Sequence, residues 1–274
     1  MTLKQVYTNS LLPRRETEIL LAFLLNKRRE FLLTYPETIV PPLIYKRFKA
    51  LEKKRRANWP ISYLTGHKEF YGLDFKVTPA VLTPRPETEM IVEEILKIDL
   101  ERSLMIDLGT GSGAIIIACA KNLKNKSTQF LAVDISRPAL NIARQNANLH
   151  GLNKKIKFYQ GNLLTPIRQQ LINQNLIISA NLPYLTSTQV KKAPSISREP
   201  RVALIAGSDG LKYYRILFKQ LSAITYESLT LLCEIDPGQK NKILALSKKY
   251  FFGAKIEIKK DLAGKHRLAV IKVK

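Results

Sequence analysis

From residue 104 onward, short apolar runs alternate with longer stretches whose apolar positions recur at helical spacing. The runs at 104–108, 130–134, 156–159, 176–179 and 229–234 predict buried strands, and two later strands are predicted around 254–258 and 268–273. Helices are predicted between them at 114–121, 138–150, 211–221 and 240–249. Strands and helices in alternation are the pattern of an α/β protein with a largely parallel, doubly wound sheet.

The first 66 residues lack that alternation. Ile19, Leu20, Phe23 and Leu24 share one face of a helix predicted over 16–28. Leu43, Tyr45, Phe48 and Leu51 do the same on a helix opened by Pro42 and ending in Lys53, Lys54, Arg55 and Arg56. Apolar residues alternating on both sides of Gly72 predict a β-hairpin. The expected organisation is a helical domain at 1–66, a hairpin linker at 67–83 acting as a hinge, and an α/β domain at 84–274.

Composition narrows the class. With 45% hydrophobic residues over 274 positions, the chain can bury a sizeable core and is not disordered. Its longest apolar runs fall far short of a membrane crossing. The polar, basic start carries no secretory signal, so a cytoplasmic address is expected. The two cysteines and three histidines are scattered, without metal-ligand spacing, and a metal-free protein is expected. The net charge of +23 suits a nucleic acid, an acidic protein or a partner already bound to RNA; a solvated, lysine-rich surface accounts for it equally well. Direct nucleic-acid contact is therefore allowed without being required.

The chemistry begins at the turn after the first strand of the α/β part. Gly109-Thr110-Gly111-Ser112-Gly113 lets the backbone approach a ligand closely, and Asp134 ends the next strand, placed to accept from two ribose hydroxyls. An NAD-binding domain shares that plan, with Ala114 as a permitted variant at its third glycine position. Asp107, just before the turn, favours another ligand: a carboxylate suits the cationic methionine portion of S-adenosylmethionine and not a pyrophosphate. A second feature is Asn181-Leu182-Pro183-Tyr184, closing the apolar run at 176–180. Pro183 holds its own φ and biases Leu182 toward an extended backbone, leaving an amide side chain, carbonyls and a ring on a stiff ledge. Such a ledge can accept both hydrogens of an –NH2 group.

These stretches, together with Thr83-Pro84-Arg85-Pro86-Glu87-Thr88-Glu89, resemble the HemK/PrmC family. The resemblance extends through Tyr63-Leu64-Thr65-Gly66, Phe70-Tyr71-Gly72-Leu73, Ser208-Asp209-Gly210-Leu211, Glu234-Ile235 with Gln239, and Asp261-Leu262-Ala263-Gly264. It implies a seven-stranded class I, Rossmann-like methyltransferase fold with a small N-terminal helical domain and a linking hairpin. It further implies S-adenosylmethionine as cofactor and, as protein substrate, class-1 peptide chain release factors, methylated on the glutamine of their GGQ motif. A monomer is expected.

By the same resemblance, Asp107, Gly109, Thr110, Gly111, Ser112, Gly113, Asp134, Asn162, Leu163 and Asn181 would hold the cofactor. Asn181, Leu182, Pro183 and Tyr184 would bind and orient the substrate amide for catalysis. Two positions depart from the family pattern. Leu182 replaces a proline, giving a form also similar to rRNA adenine dimethyltransferases, although the contact needed there is a backbone carbonyl. Asn162 stands where an acidic residue often follows the glycine, and its side-chain oxygen can still accept from an adenine amino group. The alternatives are a glutamine methyltransferase of a ribosomal protein, an adenine-N6 methyltransferase acting on RNA or DNA, and a basic RNA-binding protein with a degenerate methyltransferase fold.

Overall fold

The structure is a computed structural model, describing residues 1–98, 101–123 and 127–274. The chain divides into two compact units, Met1–His67 with Ala193–Arg198, and Lys68–Lys192 with Glu199–Lys274.

The first unit is helical: α1 (Leu3–Asn9), α2 (Arg14–Leu25), α3 (Arg29–Thr34), α4 (Pro42–Arg56) and α5 (Ile61–Thr65). Its core gathers Leu3, Val6, Leu20, Leu21, Leu32, Val40 and Phe48. The predicted helix over 16–28 stops earlier, at Leu25, because Asn26 turns left-handed (φ 50°) and its N–H caps the preceding carbonyls. Among these apolar residues lies Glu18, 4% exposed. It accepts from Arg29 Nη2 at 2.7 Å and Arg14 Nε at 3.1 Å. Burying a carboxylate is tolerable only when it is paired in this way. The Arg29 hydrogen bond holds the Glu18 carboxyl below its ordinary range. Glu16 and Arg55 add a bidentate pair at 2.8 and 2.9 Å.

A two-stranded hairpin, β1 (His67–Phe70) and β2 (Leu73–Lys76), follows. Phe70 and Phe75 are buried in the core of the second unit. The Tyr71 N–H donates to Glu89 Oε1 at 2.9 Å. Asn146 accepts from the Lys76 N–H at 2.8 Å and donates to the Lys76 carbonyl at 3.0 Å.

The second unit is built on seven strands: β3 (Ser103–Leu108), β4 (Gln129–Asp134), β5 (Ile156–Gln160), β6 (Asn175–Ala180), β7 (Ser228–Glu234), β8 (Lys255–Lys260) and β9 (His266–Val273). They run in the order β5-β4-β3-β6-β7-β9-β8. β9 pairs antiparallel with both β7 and β8, and the pairs β5-β4, β4-β3, β3-β6 and β6-β7 are parallel. α6 (Glu89–Leu96), α7 (Ala114–Asn122), α8 (Arg137–Leu149), α9 (Ser187–Lys191), α10 (Lys212–Leu221) and α11 (Lys240–Tyr250) complete it. β3 is buried at every position because helices cover both faces of the central sheet, which explains its apolar character apart from Ser103 and Asp107. The strand order reverses between β3 and β6. In such sheets the crevice at the carboxyl ends beside the reversal is where ligands bind.

One glycine fixes the loop that leaves β6. Gly210 adopts φ +75°, and a Cβ there would run into the Tyr184 carbonyl oxygen and the Gln239 side-chain nitrogen. Gly210→Ala is expected to destabilise the protein by more than ~2 kcal/mol, lowering the melting temperature by several degrees. Thermal unfolding measures it; a wild-type melting temperature would mean that this loop is not held where the structure puts it.

Candidate active site

A cavity opens at the carboxyl ends of β3, β4 and β6. Its floor is Gly109, Thr110, Gly111 and Ser112; its sides carry Asp134, Ile135, Asn162 and Leu163, then Asn181, Leu182 and Pro183, with Leu82, Pro84, Arg85 and Thr88 opposite. Asp107, Gly113 and Tyr184, named from the sequence with these residues, do not line it.

Gly113 stands at the start of α7. A Cβ on it would lie 2.8 Å from Ile117 Cδ1 and 3.3 Å from Ala143 Cβ, so its role is close helix packing in a left-handed conformation. Asp107 is 1% exposed. Its carboxylate accepts from Thr110 Oγ at 2.6 Å and from Ser179 Oγ at 2.7 Å, beneath the glycine turn. Burial pushes its pKa up to about 6, against the pull of those two hydroxyls.

Asp134 ends β4 beside the turn. One carboxylate oxygen accepts from the Gly111 N–H at 2.9 Å and the other from the Ser136 N–H at 2.8 Å. An ionised carboxylate has about four acceptor sites, so further hydroxyls can still be accepted. Ile135 follows, 55% exposed on the cavity wall, a broad apolar surface suited to a purine face. Leu163 holds a left-handed φ of 52°, a costly conformation for a bulky residue, which sets the chain beside Asn162. The donor set fits a nucleoside carrying a cationic amino-acid tail: the Asp134 carboxylate beside the turn, apolar walls, and a bare backbone turn.

The ledge is fixed from several sides. Tyr214 O–H donates to the Ala180 carbonyl at 3.0 Å and also to that of Glu234, and Gln239 Nε2 donates to the Tyr184 carbonyl at 2.9 Å. Leu182 is 3% exposed, its side chain part of the main core. Among the described residues no hydrogen bond reaches the Leu182 carbonyl. Asn181 Nδ2 donates to Thr88 Oγ at 3.2 Å, Thr88 Oγ donates to Glu234 Oε2 at 2.7 Å, and Tyr184 O–H donates to Glu234 Oε1 at 3.1 Å. Burial raises the Glu234 pKa, opposed by the two hydroxyls and by Arg267. The segment 83–89 is thereby explained beyond a helix start: Arg85 Nη2 pairs with the buried Glu199 at 2.7 Å, while Thr88 and Glu89 make the contacts already given.

Fold and site together define the class, an S-adenosylmethionine-dependent methyltransferase with a Rossmann-like sheet. The chain is 40% identical to the release factor glutamine methyltransferase of Moorella thermoacetica, over 85% of this chain and 82% of the relative. It is 38% identical to that of Coxiella burnetii, over 97% of this chain and 94% of the relative. It belongs to the release factor glutamine methyltransferase family. Residues 2–66 match the PrmC N-terminal domain and residues 101–207 a methyltransferase domain. Among solved structures, the hMettl16 catalytic domain, crystallised with the MAT2A 3′UTR hairpin 6, shares the fold. Its TM-score is 0.57 at 16% identity, over 78% of this chain and 79% of that chain.

Asp107 supplies a measurable signature. Because its carboxyl is raised in the folded state, the folded protein binds its proton more tightly than the unfolded chain does. Stability from this group is full below the unfolded pKa near 4 and falls as pH rises to about 6. The loss is on the order of 3 kcal/mol in the cofactor-free protein. Burial raises Asp134, Glu199 and Glu234 as well, whereas Glu18 and Asp209 are lowered, so the Asp107 contribution is read from the difference between wild type and Asp107→Asn in denaturant unfolding. That difference is expected to change between pH 4 and 7; a constant difference would remove the buried, uncompensated carboxylate from the account.

Proposed function

We propose that this chain transfers the methyl group of S-adenosylmethionine to the side-chain amide nitrogen of a release factor glutamine. The observation carrying the proposal is the Asn181 ledge, with a free amide oxygen and a free Leu182 carbonyl beside the glycine turn, in a chain whose family relation extends over both units. S-adenosylmethionine would supply the electrophilic methyl. Asp134 would accept from its ribose hydroxyls, Ile135 would face the adenine, and Asn162 would accept from its amino group. Thr110, Ser112 and the three glycines shape the turn, with Asp107 fixing Thr110 from below. Leu163 sets the Asn162 side of the pocket.

A glutamine nitrogen is a poor nucleophile because its lone pair is delocalised into the carbonyl. Asn181 Oδ1 and the Leu182 carbonyl accept its two N–H groups, which aims the lone pair and stabilises positive charge as it develops on nitrogen. Pro183 keeps the ledge extended. Tyr184, with its hydroxyl on Glu234, serves as a buttress. The helical unit, matching the PrmC N-terminal domain, selects the release factor.

The direct test supplies labelled S-adenosylmethionine with purified release factor, ribosomal protein and rRNA in separate reactions. Label is expected on a release factor glutamine; label on rRNA adenine or a ribosomal protein instead would overturn the assignment. Two variants divide the site. Asn181→Ala is expected to lower turnover by ~10²–10³ through loss of one preorganised contact. Asp134→Ala is expected to weaken cofactor binding by roughly 10- to 150-fold through lost charge-assisted hydrogen bonds. Calorimetry beside turnover separates the two; an unchanged cofactor affinity in folded Asp134→Ala would refute the ribose role.

A further inference from the structure

We infer that Glu234 and Thr88 are positioning residues that decide which end of the Asn181 side-chain amide faces the substrate. The inference rests on the glutamine-methylating reading above and deepens it. Three separate parts of the chain meet here: Glu234 at the end of β7, Thr88 in the 3-10 turn Pro86–Thr88 before α6, and Asn181 directly after β6. Glu234 and Thr88 are 3% and 4% exposed, so no bulk water competes for their hydrogen bonds.

The chain of bonds has a direction. The Glu234 carboxyl accepts one hydroxyl on each oxygen, Thr88 at 2.7 Å and Tyr184 at 3.1 Å. The single hydroxyl hydrogen of Thr88 is therefore committed to Glu234, and its oxygen is left as an acceptor. The two ends of the Asn181 amide have nearly the same shape, one a donor and the other an acceptor. Only the Nδ2 end can satisfy Thr88, as the 3.2 Å contact shows. Oδ1 is then turned away from Thr88, and among the described residues no donor reaches it. A glutamine –NH2 group requires an acceptor at that point. A flipped Asn181 would set donor against donor and leave the amide misaligned. The buried Glu234 carboxyl thus acts at the reacting nitrogen through two hydrogen bonds, without touching the substrate.

A polar cluster that only holds the fold together would be indifferent to this direction, and Glu234→Gln distinguishes the two. The glutamine keeps the shape and can still hydrogen-bond both hydroxyls, but it can also donate. Thr88 is then free to turn its hydrogen toward Asn181, and the bias is lost. The expected result is a kcat on release factor glutamine ~10- to 100-fold lower, with KM for the release factor and calorimetric cofactor affinity within about threefold of wild type. Because a substitution at a buried charge can unsettle the fold, a second pair is measured beside it. Thr88→Val should show the same kcat loss, whereas Thr88→Ser, which keeps the hydroxyl, should recover most of the rate.

The side-chain Nδ2 resonance of Asn181 gives a readout independent of catalysis. Its hydrogen-bond shift and slow exchange should be present in the wild type and in Thr88→Ser and lost in Thr88→Val. Wild-type kcat in folded Glu234→Gln or Thr88→Val would overturn the inference, as would equal losses in Thr88→Ser and Thr88→Val. If the wild type methylates no glutamine, the functional reading fails, while the resonance still tests the direction of the amide.

Discussion

The carboxylate of Glu234 is the constraint around which the site is arranged. A carboxyl group at the end of a buried strand is costly, and it survives only with partners that are themselves held in place. Its partners come from the turn before α6 and from the ledge after β6, two segments far apart in sequence. Satisfying one buried group therefore ties three strand and helix ends to a common point. Tyr214 strengthens the same junction by donating its hydroxyl to the backbone carbonyls of Ala180 and Glu234, at the ends of two adjacent strands. The polar network is not a decoration on the sheet; it ties the end of β6, which borders the cavity, to the end of β7 and to the turn before α6.

A second buried carboxylate works differently. Asp107 lies beneath the glycine turn with neutral donors alone, the Thr110 and Ser179 hydroxyls and a backbone N–H of Ile116, and burial leaves it raised to about 6. Glu18 in the helical unit shows the contrast: with two guanidinium groups on it, its carboxyl is held low. The difference is one of uncompensated charge.

Much of this was legible in the sequence. The central strands β3, β4 and β6 follow from their apolar runs, since strands covered on both faces cannot alternate, while the edge strand β8 alternates instead. The glycine turn, Asp134 and the Asn181 ledge were readable because backbone freedom, a lone carboxylate and a proline each leave a local mark. What stayed hidden depended on the third dimension. Nothing local says that Arg85 finds Glu199, or that Thr88 stands between Asn181 and Glu234, since those partners are far apart in the chain. Asp107 and Gly113 carry the right residue types at the right spacing, yet the structure puts both behind the cavity wall, one as a support and one as a packing contact. A signal for Glu234 did exist. An acidic residue closing the buried run Leu231-Leu232-Cys233 has to be explained by a partner.

Leu182 shows how a departure from the family pattern can keep the backbone of the ledge fixed. A proline in that position would stiffen the ledge through its ring. Here the stiffness has another source, since the Leu182 side chain is buried in the main core. It also packs against the turn, where a Cβ added to Gly109 would lie 3.3 Å from its terminal methyl. The backbone is held because the side chain cannot move, and the carbonyl stays available because the neighbouring carbonyls of Ala180 and Tyr184 are the ones engaged by Tyr214 and Gln239. The proposed chemistry asks only for an acceptor at a fixed point. Ring closure and core packing are two physical routes to the same fixed point, and the second makes the acceptor depend on the integrity of the core.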